Sequence, residues 1–600
     1  MAKVIRIGGA GGFLGDSSVA APQLLKGGDL DYMILDYLAE ATMSILGQIK
    51  RERPGEGFAR DFTEWVWKDN LAEFKAQGVK VITNAGGLNP HACRARMEEL
   101  AAAAGLSFRI AVIEGDDLMD RIDDLSGMTE LYTGAAFPPK DKLFTANAYF
   151  GGRPIAAALA AGADMVITGR VVDSALALGP LMHEFGWSDD DHDLLSAGSL
   201  AGHVIECGAQ ATGGLFTDWR EVPDWGHIGY PIIECHADGS FIVTKPAGTG
   251  GLVSPAAVAE QILYEVGDPQ GYALPDVVCD FTQVKVEQVG EHRVKVTGAR
   301  GYPPSGSYKA CITWADGWRF IGAMPVVGRE AAAKARRQAE AVLERVGDML
   351  RERNFAPLRE TRIEILGAEA SYGANASAAA QGVREVVSRV GAEHEDERAL
   401  RLLTREWQSP TTSMSVGTTG WFGGAPSISP VSRVFSVLIP REQVPAKVDL
   451  GGVVTVVEAP APATPFSPAM VERPTPPPEP QASSDLIDVP LIDLAWARSG
   501  DKGDAFNVGV IARKPAYLPW IRAGLSEAAV KTWFAHEFEG AVAPQVLRYD
   551  LPGMDALNLH CIQALGGGQF ASLRLDALAK GKAQQLLDMP IQVPAGLVQP

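Results

Sequence analysis

Residues 78–105 read GVKVITNAGGLNPHACRARMEELAAAAG, and their reading sets the fold class. Val79 to Ile82 is an apolar run of the length of a short buried strand. Thr83-Asn84-Ala85-Gly86-Gly87-Leu88 is too glycine-rich to continue it and reads as a loop. Asn89 suits an N-cap, and Pro90 suits the first helical position, where a missing N–H costs nothing. The helix then runs through MEELAAAA to Gly105, a C-terminal stop. Phe108 to Ile113 is the next strand, ending in Glu114-Gly115-Asp116-Asp117. Two strands joined through a helix run parallel, because that connection is long enough to cross over.

The same alternation extends in both directions. Upstream, Val4 to Ile7 is a strand, Asp16 to Leu25 a helix stopping at Gly27-Gly28, Tyr32 to Leu35 a strand, and Tyr37 to Arg51 a helix. Downstream, Pro154 to Ala161 is a helix, Asp164 to Ile167 a strand ending in Thr168-Gly169-Arg170, and Val172 to Phe185 a helix. The predicted class is α/β, with a three-layer main domain around a largely parallel sheet. Residues 1–215 form its βαβ part, and 216–457 form an inserted or appended β-rich α+β part. In that second part IIECHADGSFIVTK (232–245) and YKACITWADGWRF (308–320) each hold Asp-Gly between β-rich runs, so each predicts a hairpin. VVCDFTQVKVEQ and HRVKVTG add strands; 329–353 is a long amphipathic helix, Thr361 to Leu366 a strand, and 375–407 mostly helical. Val434 to Ile439 and Val453 to Val457 are late strands. Residues 458–485 are proline-rich and read as a linker, and 486–600 are enough for a separate small domain.

The chain has 73 acidic and 54 basic side chains, a formal net charge of −19. That sign repels phosphate backbones and anionic lipid, so neither nucleic acid nor membrane is an expected partner. No apolar run is long enough to span a bilayer, and the N-terminus has no basic region leading into a hydrophobic signal core. Six cysteines without CxxC spacing indicate neither a zinc ribbon nor a disulfide framework, and a reduced cytoplasm is the expected location. No metal motif is present, and no cofactor is required by the sequence.

Several stretches offer chemistry. The opening glycines, Gly8 to Gly15, follow a strand as in a dinucleotide-binding turn, with Asp36 placed as a ribose-binding acid would be. The third fingerprint position is Leu14, however, and Asp16 puts a carboxylate where a pyrophosphate would sit. In a parallel sheet all strand carboxyl ends share one edge, where ligands bind. This edge gathers Asp36 and Glu40, Asn84 with Gly86 and Gly87, Glu114 with Asp116 and Asp117, and Arg170 with Asp173. Asp36, Asp116 and Asp173 are the candidates for acid/base work; Arg170 would hold an anionic group, and the amides of Gly9, Gly11, Gly12, Gly86 and Gly87 an oxyanion. Asp36, Asn89, Asp117 and Asp173 also read as helix N-caps. HVIECGAQATGG (203–214) holds Cys207 beside Glu206, a neighbour that opposes thiolate formation, so a structural cysteine is the reading there. Lys245 and Thr249, in KPAGTGG, form either an anion site or a plain loop. SPTTSMSVGTTGWFGGAPS (409–427) is a long glycine-rich loop of the sort that carries function. In the last domain, Arg498 to Asp504 reads as a hairpin loop, solvated or ligand-binding, with the glycines 566–568 placed to pack beside it.

RIGGAGGFLGDS, TNAGGLNP, ITGRVVDSALALGP, HVIECGAQATGG, KPAGTGG and ARSGDKGDAFNVGVIAR, in this order, resemble the acyclic terpene utilisation AtuA family. The resemblance covers 1–457 as the main domain and 486–600 as the AtuA-like domain, for which it implies a ferredoxin-like α+β fold. It also implies a bacterial cytoplasmic protein of acyclic terpene degradation, where intermediates travel as acyl-CoA thioesters. It carries over no catalytic residues. The expected function is therefore a catabolic enzyme acting on a small-molecule substrate, a branched acyl-CoA or related carboxylic acid, by hydration, isomerisation, lyase or thioester-cleavage chemistry. Two alternatives stand beside it: a nicotinamide-dependent oxidoreductase using the opening glycines, and a non-catalytic assembly subunit of an acyl-CoA carboxylase or hydratase. A homo-oligomer is expected for a chain of this size.

Overall fold

The computed structural model describes residues 3–420, 424–481, 483–569 and 571–598. Residues 421–423 of the glycine-rich stretch 409–427 lie outside the described residues. Five strands form a parallel centre: β1 (Val4–Gly9), β2 (Tyr32–Leu35), β3 (Lys80–Thr83), β4 (Ile110–Glu114) and β5 (Met165–Thr168). Their spatial order is β1-β2-β3-β5-β4, with every neighbouring pair parallel. The unit at 78–105 forms as its sequence predicts. The Asn89 side chain accepts from the Ala92 N–H at 3.3 Å to cap the Pro90–Ala103 helix, and Gly105 takes φ +71°.

Alternate strand residues point to opposite faces, and both faces are covered. Tyr32 and Ile34 enter a core shared with the Arg153–Ala160, Ala175–Phe185 and His192–Ile205 helices. Met33 and Leu35 enter a second core shared with the Ala20–Gly27, Glu40–Glu52 and Pro90–Ala103 helices. Three layers result.

The sheet is mixed rather than largely parallel, and it does not end near residue 215. β6 (Ile232–His236), β7 (Phe241–Thr244), β8 (Lys285–Gly290) and β9 (Arg293–Thr297) extend it beyond β1, and β10 (Ala446–Leu450) with β11 (Val453–Val457) extend it beyond β4. The order is β8-β9-β7-β6-β1-β2-β3-β5-β4-β10-β11, and all the added pairs are antiparallel. The short β6–β7, β8–β9 and β10–β11 connections permit only that direction.

Asp238-Gly239 makes the predicted hairpin turn between β6 and β7, but Asp316-Gly317 does not make one. Ser307–Val327 is a single strand. Ala315 faces Ser432 and Trp318 faces Pro430, so two residues oppose Val431 alone, and Gly317 at φ +84° forms a bulge. At this bend the strand changes partner, from Leu143–Ala148 to Glu385–His394, while Ser427–Pro440 accompanies both halves. Glu385–His394 also interrupts the helix expected over 375–407; Val386, Ser388 and Val390 are buried with a period of two, a strand signature.

The last domain is a four-stranded antiparallel sheet ordered Ala495–Lys502, Ala505–Ala512, Ala556–Ile562, Gln545–Leu551. Phe506, Val508, Val510, Leu557 and Leu559 face its own helices. The other face sits on the main domain at the end of the Pro255–Leu263 helix. Gly500 and Gly509 make room there: a Cβ on Gly509 would lie 2.4 Å from Leu263 Cβ, and one on Gly500 2.5 Å from Glu265 Cγ. Carbonyls at that helix end and just beyond it are taken by the other domain. Asn507 Nδ2 donates to Leu263 O at 2.6 Å, and Asn558 Nδ2 to Val266 O at 2.8 Å and Gly267 O at 2.6 Å. The proline-rich segment lies along the main domain, where Arg473 pairs with Asp268 and the Gln270 side chain donates to Glu472 O at 2.7 Å. Among the described residues no helix is long and apolar enough to cross a membrane.

Candidate functional site

The parallel register aligns the strand ends: Gly9 pairs with Ile34, Leu35 with Thr83, Thr83 with Ile167 and Thr168 with Ile113. The residues just beyond those ends therefore meet. Asn84 bridges two of them, donating from Nδ2 to Asp36 Oδ1 at 2.6 Å and accepting the Tyr37 N–H at 2.8 Å. Asp36 is buried, and Oδ1 also accepts from Leu38 N–H at 3.0 Å. Burial, then the nearby Asp173 carboxylate, raises the Asp36 carboxyl well above the usual range, and Arg170 and Asn84 only partly offset this.

Arg170 is the centre of the group. Its Nη1 donates to Leu38 O at 2.5 Å and to Asp173 Oδ1 at 2.9 Å, its guanidinium lies 4.2 Å from the Tyr149 ring centroid, and its buried Nε has no partner among the described residues. Tyr149 follows the Leu143–Ala148 strand, and its N–H donates to Lys309 O at 2.9 Å, so the second sheet swings both side chains over the strand ends. The Tyr149 hydroxyl donates to Glu40 Oε1 at 2.7 Å, and Lys309 Nζ donates to the same oxygen at 3.4 Å. Burial pushes the Glu40 carboxyl up, but Lys309, Arg170 and Tyr149 outweigh it and hold Glu40 below its ordinary range. Two carboxyls in one group are thus driven in opposite directions, an acid/base arrangement. Behind them Glu40, Asn147, Tyr149, Arg170 and Cys311 line a cavity with room for about one water.

The other sequence candidates play different parts. Asp116 Oδ2 accepts from the Arg170 N–H at 2.7 Å and from Asn147 Nδ2 at 2.9 Å. A Cβ on Gly169 would lie 2.4 Å from its Oδ1, so Asp116 braces the Arg170 loop from behind instead of facing ligand space. Burial pushes its carboxyl up to about 7. The glycine amides proposed for an oxyanion are largely spent: Gly9 donates to Pro231 O at 3.0 Å, Gly12 to Asp16 Oδ2 at 2.9 Å and Gly87 to Asn84 O at 3.1 Å. These glycines, with Gly11 and Gly86, serve close packing and turning. A Cβ on Gly9 would lie 2.1 Å from Ile205 O, and one on Gly86 2.5 Å from Thr168 O; Gly11 O accepts from the Asp36 N–H at 3.3 Å. The Asp16 carboxylate fills the amide position that a dinucleotide pyrophosphate would need. Lys245 Nζ donates to Thr249 O at 2.7 Å and Thr249 Oγ1 to Pro246 O at 2.7 Å, a self-contained loop outside this group. Among the described residues no set of His, Cys, Asp and Glu side chains could hold a metal; Glu234 instead pairs with Arg6 and Arg293.

A second group borders the first. His203 and Glu206 lie one turn apart at the end of the His192–Ile205 helix, with Nδ1 3.2 Å from Oε1, and His203 Nε2 is buried without a partner among the described residues. Burial raises Glu206 to about 7, where its proton is available near neutrality. Burial would lower the His203 imidazole, but Glu206 wins and holds it above its usual range. Cys207 is pushed up by burial and by Glu206, consistent with a non-nucleophilic cysteine. Tyr272 lies over His203, with ring centroids 6.3 Å apart. The spacing of His203 and Glu206, three residues on a helix, was the available signal. Tyr149 and Lys309 had none, because their sheet packs on this edge only in three dimensions.

Arg498 to Asp501 is not a solvated turn: it continues the Ala495–Lys502 strand and is buried. The turn is Lys502 to Ala505, and Gly566 to Gly568 do pack on it, since a Cβ on Gly568 would lie 2.1 Å from Gly503 O. A family model of the acyclic terpene utilisation protein AtuA matches residues 5–450, and a model of the AtuA ferredoxin-like domain matches 489–592. No curated protein and no solved structure matches the chain. The first of these matches spans most of the sequence and the second accounts for the added domain: the chain belongs to the acyclic terpene utilisation AtuA family.

Proposed function

We propose that the strand-end group is the active site of a catabolic enzyme that moves protons on a branched carboxylic acid or its CoA thioester. The reaction class is hydration, isomerisation, lyase or thioester cleavage. The observation that carries this reading is that two carboxyls, Asp36 and Asp173, meet one buried arginine at the strand ends, with Asp173 hydrogen-bonded to Arg170 and the Asp36 carboxyl raised in part by Asp173. Burial and the Asp173 charge favour the protonated form of Asp36, which is the proposed acid. Asp173, beside Arg170 and about a third exposed, is the second carboxyl and the candidate base. Arg170 and Lys309 stabilise negative charge that develops on the substrate oxygen. Among the proposed site residues, Asn84 and Asp116 orient these groups.

Native mass spectrometry against a panel of branched acyl-CoA thioesters and free acids, followed by turnover assays on whatever binds, tests the reading. Asp36→Asn and Asp173→Asn proteins that fold normally should each lose about 100-fold or more in kcat, as when a positioned proton donor or acceptor is removed. Full-rate turnover in both variants would remove the assignment.

A further inference from the structure

The period of two along Ala495–Lys502 places Trp496, Arg498, Gly500 and Lys502 on one face of the strand. That face is the one docked on the main domain. Trp496 Nε1 donates to Asp218 at 2.6 Å, Arg498 lies 4.6 Å from the Tyr264 ring centroid, and Gly500 abuts Glu265. Lys502 is the next residue on it. Its ammonium lies 5.8 Å from the Tyr272 ring centroid, beside the His203–Glu206 pair. It is close enough to Asp173 and Glu40 to interact with both electrostatically. Among the described residues it has no hydrogen bond and no ion pair. Its side chain is exposed to solvent where the last strand residue meets the main domain.

Glu265, Asp173 and Glu40 favour the charge of Lys502 from a distance, but among the described residues none of them hydrogen-bonds it, because each is engaged elsewhere. Glu265, itself held in the left-handed region at φ +58°, pairs with Lys580 at 2.8 Å. Asp501 pairs with Lys580 at 3.2 Å and accepts from Gln569 at 3.2 Å. Asp504 fixes the turn by accepting from Gly567 N–H at 2.7 Å and Leu565 N–H at 3.2 Å. A hairpin turn held by Asp504 therefore presents one cation without a hydrogen-bonded partner among the described residues, on the side of the acid/base group.

We infer that the second domain completes the site, with Lys502 as the residue that binds the carboxylate or thioester oxygen of the substrate. This rests on the function proposed above. The ligand class is a singly charged carboxylate or polarised carbonyl, not a phosphate: Glu40, Asp173 and Glu206 all stand within reach, and they repel a dianion more strongly than a monoanion.

The test uses the full-length chain with 3-methylbutanoate and inorganic phosphate as probes. Acylation of Lys502 by an amine-reactive ester is followed by peptide mass spectrometry, and affinities are measured by calorimetry for wild type, Lys502→Met and Lys502→Arg. The carboxylate should slow Lys502 labelling in the wild type, and phosphate at equal concentration should not. Lys502→Met should weaken carboxylate binding about 10- to 100-fold, the worth of a hydrogen bond to a charged group, and Lys502→Arg should restore most of it. Carboxylate binding unchanged in Lys502→Met, with Lys502 labelling unprotected, overturns the role of Lys502 and leaves the proposed function standing. Protection by phosphate alone overturns the ligand class. No carboxylate binding to the wild type removes both. The labelling experiment is done on the wild-type protein, so it decides the matter even if a substituted chain misfolds.

Discussion

Asp116 offers the sharpest test of how this edge is built. It is buried, it holds the Arg170 N–H and the Asn147 amide on one oxygen, and its carboxyl is raised from 3.8 to about 7. An unfolded chain releases this proton near 3.8, whereas the folded chain keeps it until about 7. The contribution is fully present below 3.8 and is lost as pH rises to about 7, above which it levels off. At about 1.36 kcal/mol per pKa unit, folding should lose roughly 3 kcal/mol between about pH 5 and about pH 8 from this residue. Asp116→Asn has no proton to lose, and its amide oxygen can accept both hydrogen bonds. The stability of the variant relative to wild type should therefore rise by roughly 3 kcal/mol over the same range. Native-state hydrogen exchange on peptides covering β4 and β5 measures this locally, without assuming that the two domains unfold together. A wild-type minus variant difference that stays flat with pH would refute the argument. So would a large loss of turnover in a well-folded Asp116→Asn protein, because that would make the residue a catalytic acid after all.

Asn558→Leu removes the side chain that caps two carbonyls of the main domain. It should weaken the domain contact by about 1–3 kcal/mol, the cost of leaving buried acceptors unpaired. The change should appear as faster limited proteolysis in the 458–485 segment with the secondary structure of each domain intact. Glu206 ionises at about 7 beside Asp173 and Lys502, so carboxylate affinity should fall about tenfold as pH rises through that value, by like-charge repulsion. Glu206→Gln should flatten that dependence in a calorimetric pH series, and an unchanged slope would exclude Glu206 as its source.

The parallel centre was legible because each of its strands is short, apolar and followed by a capped helix. Asn89-Pro90 and Gly105 bracket one such helix with local chemistry alone. The edge site followed from that topology, which is why Asp36, Asn84, Arg170 and Asp173 emerge together in the structure. The glycines misled for a related reason. A βα turn needs glycine both to approach a ligand and to approach its own protein, and the sequence does not distinguish a pyrophosphate from the Ile205 carbonyl. Asp316-Gly317 has the composition of a hairpin, but the strands available on both sides make continuation through a bulge better paired than a turn. Lys502 was obscured by its loop-like neighbours. Arg498, Ser499, Gly500, Asp501 and Lys502 in succession look solvated, although the first four are buried in one strand and only Lys502 is exposed.

The charge of the chain and the charge of the site belong to different length scales. A net −19 repels an anion at long range, but mobile ions screen that field within about 8 Å at physiological salt. Inside the seam the balance is set by Arg170, Lys309, Lys502 and Lys580 against Glu40, Asp173, Glu265 and Asp501. Three of those four cations hydrogen-bond a carboxylate, and the pairs lock their geometry. Among the described residues Lys502 alone of the four has no ion-pair partner, and like Lys580 it arrives from the other domain. In the proposed site an anionic substrate is held by a positive charge that depends on the two domains being docked. Separating the domains would remove Lys502 while leaving Asp36, Arg170 and Asp173 in place, so the proposed role predicts loss of carboxylate affinity with the first domain still folded.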